Sequence, residues 1–312
     1  MILVGPDRQP GVVAVGGPVA AFVVTCRRPT ELHATLAAVY SQRRRPDAVV
    51  VINRDPDHDI GDALWEEFPS VQVVNLLEQV GPAGGMAEAL YLVSRCAYSW
   101  GWLLDDHAVA APDALEELLA AASALRGEGR AVGLLAPCGA AAARAALGFW
   151  RHRVVPVPSA LVLRQIEPVA VDVAGWVGLL VHHSVVDQIG YPRFEFFSSF
   201  DDYEYCLRAR HAGLEIVAVP TSRVASLDLP PRTLPAPVDP LEEYYAARNT
   251  AFAAWRAIHS PWAVAFHLWR QCLLAVRDLL LADQKRRRLR IRLRGIRDGL
   301  RGRLGPIRER ES

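Results

Sequence analysis

Trp100-Gly101-Trp102-Leu103-Leu104-Asp105-Asp106-His107 is an apolar run that stops on a cluster of ionisable groups. A short continuous apolar run bounded by polar residues reads as a strand buried on both faces. Working outward gives the same unit again. Upstream, Ala20-Ala21-Phe22-Val23-Val24-Thr25 is a second run of this type, and Pro29 and Thr30 open a helix to about Ser41. Residues 49–52 and 71–74 read as further strands and residues 83–97 as a helix. Downstream, Pro112 stands where the first turn of a helix to about Leu125 would place it, and residues 132–136 form the next strand. This alternation over residues 20–136 predicts an α/β fold with a mostly parallel central sheet and helices on both faces.

Beyond residue 136 the pattern loosens. Residues 140–146 are Ala-rich, and 161–163 and 176–181 are strand-like. A helix is predicted over 203–211, closed by Gly213, and a strand over 215–219. Residues 228–240 hold five prolines and read as a loop. Residues 241–259 read as a helix, 262–281 as an amphipathic helix, and 285–310 as an arginine-dominated stretch. The expected division is a loose lead-in over 1–19, a main domain over 20–260 with halves 20–136 and 137–260, and a helical, basic C-terminal extension over 261–312.

The chain has 312 residues, 51% hydrophobic and 22% charged, which is ordinary for a globular protein. Its net charge of +1 conceals a division: residues 261–312 carry 14 Lys+Arg against 5 Asp+Glu, a net +9, which leaves −8 on the rest. The tail arginines lack interleaved aromatics, which argues against nucleic acid. Beside an amphipathic stretch they point to an anionic membrane surface as the partner of residues 262–310. The five cysteines are widely spaced with no CxxC pair, as expected of reduced thiols. The start lacks the charged and apolar regions of a secretory signal, and no uncharged apolar stretch is long enough to cross a membrane. The expected location is cytoplasmic, peripheral on the inner face of the cell membrane.

Four segments carry candidate chemistry. In open α/β sheets, ligands bind at the carboxyl ends of strands. Asp105-Asp106-His107 at such an end reads either as a divalent-metal site facing a diphosphate or as an ordinary acidic loop. Asp201-Asp202-Tyr203-Glu204 reads as a capping box, with Asp201 the N-cap and Glu204 three residues on; it leaves Asp202 as a candidate general base. Both readings of that segment can hold together. Gln79-Val80-Gly81-Pro82-Ala83-Gly84-Gly85-Met86 precedes a helix and is neither GxGxxG nor a P-loop; it is a close-approach loop or a plain turn. Trp176 reads as an acceptor platform or a core tryptophan. A metal-assisted sugar transfer from a nucleotide diphosphate fits the paired acidic clusters. There is no GxSxG nucleophile elbow.

Taken in order, these segments resemble an inverting glycosyltransferase of family 2 with the GT-A fold, nearest to its galactofuranosyl- and rhamnosyltransferase-like members. The resemblance covers about residues 20–303. Phe22-Val23-Val24-Thr25 with Arg28-Pro29 resembles the first strand and helix start, and Gln79 to Gly85 the N-x-G-x-x-G-G loop. Asp105-Asp106-His107 is similar to the D-D-D metal motif, Phe196 to Glu204 to F-F-x-x-x-D-D-x-E, and Tyr244-Tyr245 with Arg248-Asn249 to Y-Y-x-x-R-N. Gly295 to Gly305 looks like the Gly- and Arg-punctuated tail. The resemblance implies that Asp105, Asp106 and His107 hold Mn²⁺ or Mg²⁺. It implies that Thr25, Arg28, Asn53, Gln79, Gly81, Gly84, Gly85 and Asp105 line the nucleotide-sugar site. Asp202 would be the base, with Asp201 and Glu204 beside it, and Trp176 and Phe197 would meet a glycan or lipid-linked acceptor. The chain departs from the family pattern at four places. His107 stands for the third Asp, Ser226 for a metal-binding His after the later strand, Ile52 for an Asp at the end of the second strand, and Cys26-Arg27 for Tyr-Asn. Those departures also fit a catalytically degenerate scaffold that binds a partner or glycan. A nucleotidyltransferase on a related fold is a third reading.

Overall fold

The computed structural model describes residues 17–139, 166–227, 239–257, 269, 271–276 and 285–307. Alternate residues of β1 (Val19–Thr25) enter opposite layers, because successive side chains of a strand point to opposite faces. Val19, Ala21 and Val23 join a core with Leu32, Leu36 and Val39 of α1 (Pro29–Tyr40) and Leu115 and Leu118 of α4 (Ala114–Gly127). Ala20, Phe22 and Val24 join the other core, with Met86, Leu90 and Val93 of α3 (Gly81–Arg95). Both faces of the strand are apolar, so the sheet is covered on both sides, as the continuous apolar runs require.

Phe22 pairs in parallel with Val50 of β2 (Ala48–Asn53) and with Leu103 of β4 (Trp100–Asp105). β3 (Gln72–Asn75) extends this parallel half, and the short α2 (Gly61–Glu67) precedes it. The second half joins through β8 (Leu179–His182), which runs antiparallel to both β4 and β6 (Val132–Cys138). β9 (Glu215–Ser226) pairs in parallel with β6 and also pairs with the short β5 (Ala108–Ala110) and β7 (Val169–Val171), both antiparallel. The sheet order is β3-β2-β1-β4-β8-β6-β9-β5, with β7 on β9. Two further helices, α5 (His183–Ile189) and α6 (Asp201–His211), pack on the α3 side through Val185, Tyr205 and Ala209.

Several boundaries differ from the sequence expectation. α6 starts at Asp201, two residues early; β8 starts at Leu179, and β9 runs on to Ser226. The short elements α2, β5, β7 and α5 fall below the length at which periodicity is readable. The expectations over 1–16, 140–165, 228–238 and most of 258–284 lie outside the described residues.

The basic tail is partly interior. Its core is a helix, α8 (Lys285–Leu300), laid along α7 (Pro240–Phe252). A Cβ on Gly295 would stand 2.6 Å from the carbonyl oxygen of Tyr244, and one on Gly299 2.1 Å from that of Arg248. Only glycine admits that backbone contact. Arg288 donates to Glu243 at 2.5 Å and Arg292 to Gln271 at 2.8 Å, all buried, so some of the tail arginines are internal parts of the fold. Among the described residues, no helix is long and apolar enough to cross a membrane.

Candidate active site

β4 delivers Asp105 and Asp106 to the carboxyl edge of the sheet, and the two carboxylates take opposite roles. Asp106 is buried and turned inward. One oxygen accepts from the Thr25 hydroxyl at 2.9 Å and the Cys26 amide at 3.3 Å, and the other faces Arg28 at 3.5 Å and His107 Nδ1 at 3.3 Å. It therefore braces β4 against the turn after β1, and Thr25 is spent on the same contact. Both oxygens of Asp106, expected as a metal ligand, have protein partners in this structure. No described side chain hydrogen-bonds Asp105, whose Oδ2 lies 4.0 Å from His107 Nε2. Burial raises the pKa of Asp105, and the neighbouring Asp106 adds to the rise. Among the described residues, no three His, Cys, Asp or Glu side chains gather to hold a metal. Two donors, from Asp105 and His107, do face one another across a distance a cation with phosphate co-ligands can bridge. Ser226 pairs with Ala108 in the β5–β9 ladder, so the position of the missing second imidazole lies beside His107.

The loop before α3 docks on the loop before α6. Gly81 has φ +69°, and a Cβ there would meet the Phe197 carbonyl oxygen at 2.1 Å. The Ala83 amide donates to that same oxygen at 3.2 Å. Gly84 and Gly85 are buried against Val80 and against Val24 and Arg54, whereas Gln79 is exposed at the loop tip.

Phe197, Ser199 and Phe200 all have left-handed backbone conformations, with φ between 63° and 72°. For residues with a Cβ each such φ costs on the order of 1 kcal/mol or more. The loop is held by the Arg-Asn pair of α7. Asn249 Nδ2 donates to the carbonyls of Ser199 at 2.7 Å, Ser198 at 2.8 Å and Phe196 at 3.1 Å. Arg248 donates to Phe196 at 2.7 Å and Glu195 at 3.2 Å, and its guanidinium lies over the rings of Tyr244 and Tyr245. Phe197 stacks on Tyr245 at 5.1 Å. α8 backs this clamp from behind, through Gly299 on Arg248.

The strained loop decides how α6 begins. Phe200, not Asp201, is the N-cap, and no side chain caps the helix, so the expected capping box does not form. Glu204 is instead buried between Arg193 at 2.9 Å and Arg208 at 2.8 Å. Asp201, in the first turn, accepts from Trp176 Nε1 at 2.7 Å. Trp176 is buried, packed on Tyr205, so its face is not open as a platform in this structure. Asp202 accepts the Tyr203 amide at 2.8 Å and lies beside Gly175. Burial, then the charge of Asp201, pushes the Asp202 carboxyl up to about 8; burial pushes Asp201 up to about 6. Asp105 contributes to both shifts, so residues nearly a hundred positions apart share one electrostatic site.

At the end of β2, Asn53 is buried and its amide is spent on the loop that follows. Nδ2 meets the carbonyls of His58 at 2.6 Å and Asp55 at 3.3 Å and the side chain of Asn75 at 2.9 Å, while Oδ1 accepts from the Asp55 amide. Arg54, next in sequence, extends under Gly85 toward the acid cluster. Sequence reading missed it because an arginine after a strand carries no spacing signal. The clamping role of Arg248 and Asn249 was equally hidden, since their targets are backbone carbonyls fifty residues away.

The family model described as glycosyltransferase like family 2 matches residues 17–240. Galactofuranosyltransferase GlfT1 of Mycolicibacterium smegmatis is 33% identical over 88 residues, 28% of this chain and 29% of that protein. GlfT1 of Mycobacterium tuberculosis H37Rv is 33% identical over 93 residues, 28% of this chain and 30% of that protein. The chain thus spans about three-tenths of the length of these curated relatives. Among solved structures, the mannosyltransferase PcManGT from Pyrobaculum calidifontis, in complex with GDP-Man and Mn²⁺, superposes with a TM-score of 0.56 at 16% identity over 94% of this chain and 91% of that one. S. aureus TarS 1–349 in complex with UDP-GlcNAc superposes with a TM-score of 0.56 at 14% identity, covering 90% and 80%. At these identities the likeness shows the fold.

Proposed function

Because the chain belongs to glycosyltransferase like family 2, we propose that it is an inverting glycosyltransferase, moving a sugar from a nucleotide diphosphate sugar to a glycan or lipid-linked acceptor. The observation that carries this reading is Asp202: a carboxyl pushed up to about 8 by burial and by the charges of Asp201 and Asp105. A general base works best when its pKa lies near the operating pH. Asp202 takes the proton of an acceptor hydroxyl as that oxygen bonds to the anomeric carbon. The bond from that carbon to the diphosphate oxygen breaks on the opposite side, so the configuration inverts and a nucleoside diphosphate leaves. Asp201, oriented by Trp176, sets the charge beside the base, and Glu204 with its two arginines fixes the helix that carries both.

A divalent cation, Mn²⁺ or Mg²⁺, fits Asp105 and His107 as a two-residue site that donor phosphates complete; when bound it neutralises charge on the departing diphosphate. The imidazole favours Mn²⁺ over Mg²⁺. Thr25, Arg28, Gly81, Gly84 and Gly85 border the donor side, and Phe197 the acceptor side. The GlfT1 relatives make a galactofuranosyl donor the first to try, and the work would be done at the inner face of a membrane, reached through the exposed arginines of α8. A non-catalytic scaffold is the competing reading, favoured by the absence of a third metal ligand among the described residues.

Turnover of UDP-galactofuranose, dTDP-rhamnose, UDP-glucose and GDP-mannose with Mn²⁺, followed by nucleoside diphosphate release, separates the two. One donor should be consumed. Asp202→Asn should bind that donor normally and turn it over at least about 100-fold more slowly. Turnover by Asp202→Asn at the wild-type rate removes Asp202 as the base, and a wild type that binds none of the donors is the scaffold.

A further inference from the structure

Arg54 follows the last residue of β2, and its amide donates to the Thr25 carbonyl at 3.0 Å, fixing its backbone against the end of β1. Its stem crosses Gly85 in the first turns of α3: a Cβ on Gly85 would stand 2.8 Å from Arg54 Cδ and 2.4 Å from Val24 Cγ1. The side chain is thereby threaded between the end of β1 and the start of α3. Its Nε is buried and has no hydrogen-bond partner, and none of the described carboxylates pairs with it. Burial weakens its hold on its proton, opposed by Cys26, Asp106 and Asp105 nearby.

The other cations around the cleft are committed. Arg27 forms a two-point pair with Asp55, and Arg28 faces Asp106, His107 and Glu31. The helix start beside Arg54 offers little in their place. Pro82 has no N–H, and the Ala83 amide is spent on Phe197. An anion entering here therefore finds two of the backbone donors that usually receive phosphates at a helix N-terminus absent or taken. A buried Nε–H lacking an acceptor is costly, and an incoming anion that accepts from it removes that cost.

We propose that Arg54 is the residue that grips the donor's diphosphate, its guanidinium supplying the positive charge that the first turn of α3 does not. This inference rests on the reading of the cleft as a nucleotide diphosphate sugar site. Guanidinium matches phosphate oxygens two at a time, which a lysine cannot do.

The test is calorimetric titration of the full chain with UDP, dTDP and GDP and with the matching nucleosides, in Mn²⁺ and in EDTA. Arg54→Met keeps the stem against Gly85 and removes the charge. It should weaken the preferred diphosphate roughly 10- to 100-fold in both conditions and leave the nucleoside unchanged, the loss of one charged hydrogen-bond pair. Arg54→Lys should lose less than Arg54→Met. Diphosphate binding by Arg54→Met within twofold of wild type in both conditions overturns the assignment. So does an equal loss of nucleoside and diphosphate in both variants, which marks a structural role. If the wild type binds no nucleoside diphosphate even in Mn²⁺, the donor-site reading fails first, and this inference fails with it.

Discussion

The indole Nε1 of Trp176 donates to Oδ2 of Asp201 at 2.7 Å, tying the turn before β8 to the first residue of α6. That bond favours the charged form of Asp201, and the charge of Asp201 in turn raises the pKa of Asp202. Trp176→Phe keeps an aromatic ring against Tyr205 and deletes the donor. Asp201 should then hold its proton more firmly and push Asp202 up less. The acid limb of the kcat/KM profile should move to lower pH by about one unit, the scale of one charge-assisted hydrogen bond. An unmoved limb would detach Asp201 from the base.

In the wild type, activity should rise with pH and level off above about 8, because Asp202 accepts a proton only once it has lost its own. A pH–rate profile of kcat/KM at saturating Mn²⁺ checks this. A limb near the ordinary carboxylate range would mean that substrate binding, and not Asp202, titrates.

Stability should run the other way. Unfolded, Asp202 gives up its proton near pH 4, whereas folded it keeps it until about 8. Across that window the folded chain holds the extra proton, so this group's contribution falls as pH rises from about 4 to about 8. Asp202→Asn should therefore melt higher than wild type at pH 8, by roughly 2–4 °C per kcal/mol recovered, with little difference at pH 4. Thermal melts at the two pH values decide it.

Asn249 holds three carbonyls of a loop that contains three left-handed residues. Asn249→Ala leaves those acceptors unpaired, which costs about 1–3 kcal/mol. Urea unfolding should report that loss. The kcat should fall further than the donor KM rises, because the loop positions Asp202 and not the nucleotide. A pure KM effect would place the loop on the donor side.

The tail separates into two sets of arginines. Arg286, Arg287 and Arg290 are exposed, whereas Arg288 is buried on Glu243. Changing Arg286 and Arg290 to Gln should weaken binding to phosphatidylserine vesicles, as high salt does, and leave the melting temperature in place. Arg288→Met should instead destabilise by about 1–3 kcal/mol, since it takes a charged hydrogen bond from buried Glu243 and leaves it Arg292 alone. Deleting residues from 285 on would remove the support of Arg248, so truncation does not test membrane binding cleanly.

The architecture is legible in local pattern. Two-sided apolar runs such as Phe22 to Thr25 and Trp100 to Leu104 can be satisfied only by a sheet covered on both faces, and local alternation records this directly. Local pattern also puts Asp105 and Asp202 at element ends, since each follows or opens a readable run. The partners of these side chains appear only in the folded chain. Asp105 and Asp106 are adjacent and chemically identical, yet one is spent on Thr25 and the other faces the cleft, because successive residues leave a strand in opposite directions. Glu204 became an ion-pair partner and not a cap because Phe200, held left-handed by Asn249 from across the fold, took the cap position. The tail's charge was legible but its placement was not: glycines at 295 and 299 bring α8 onto α7, and backbone contact between helices leaves no mark in net charge or hydropathy.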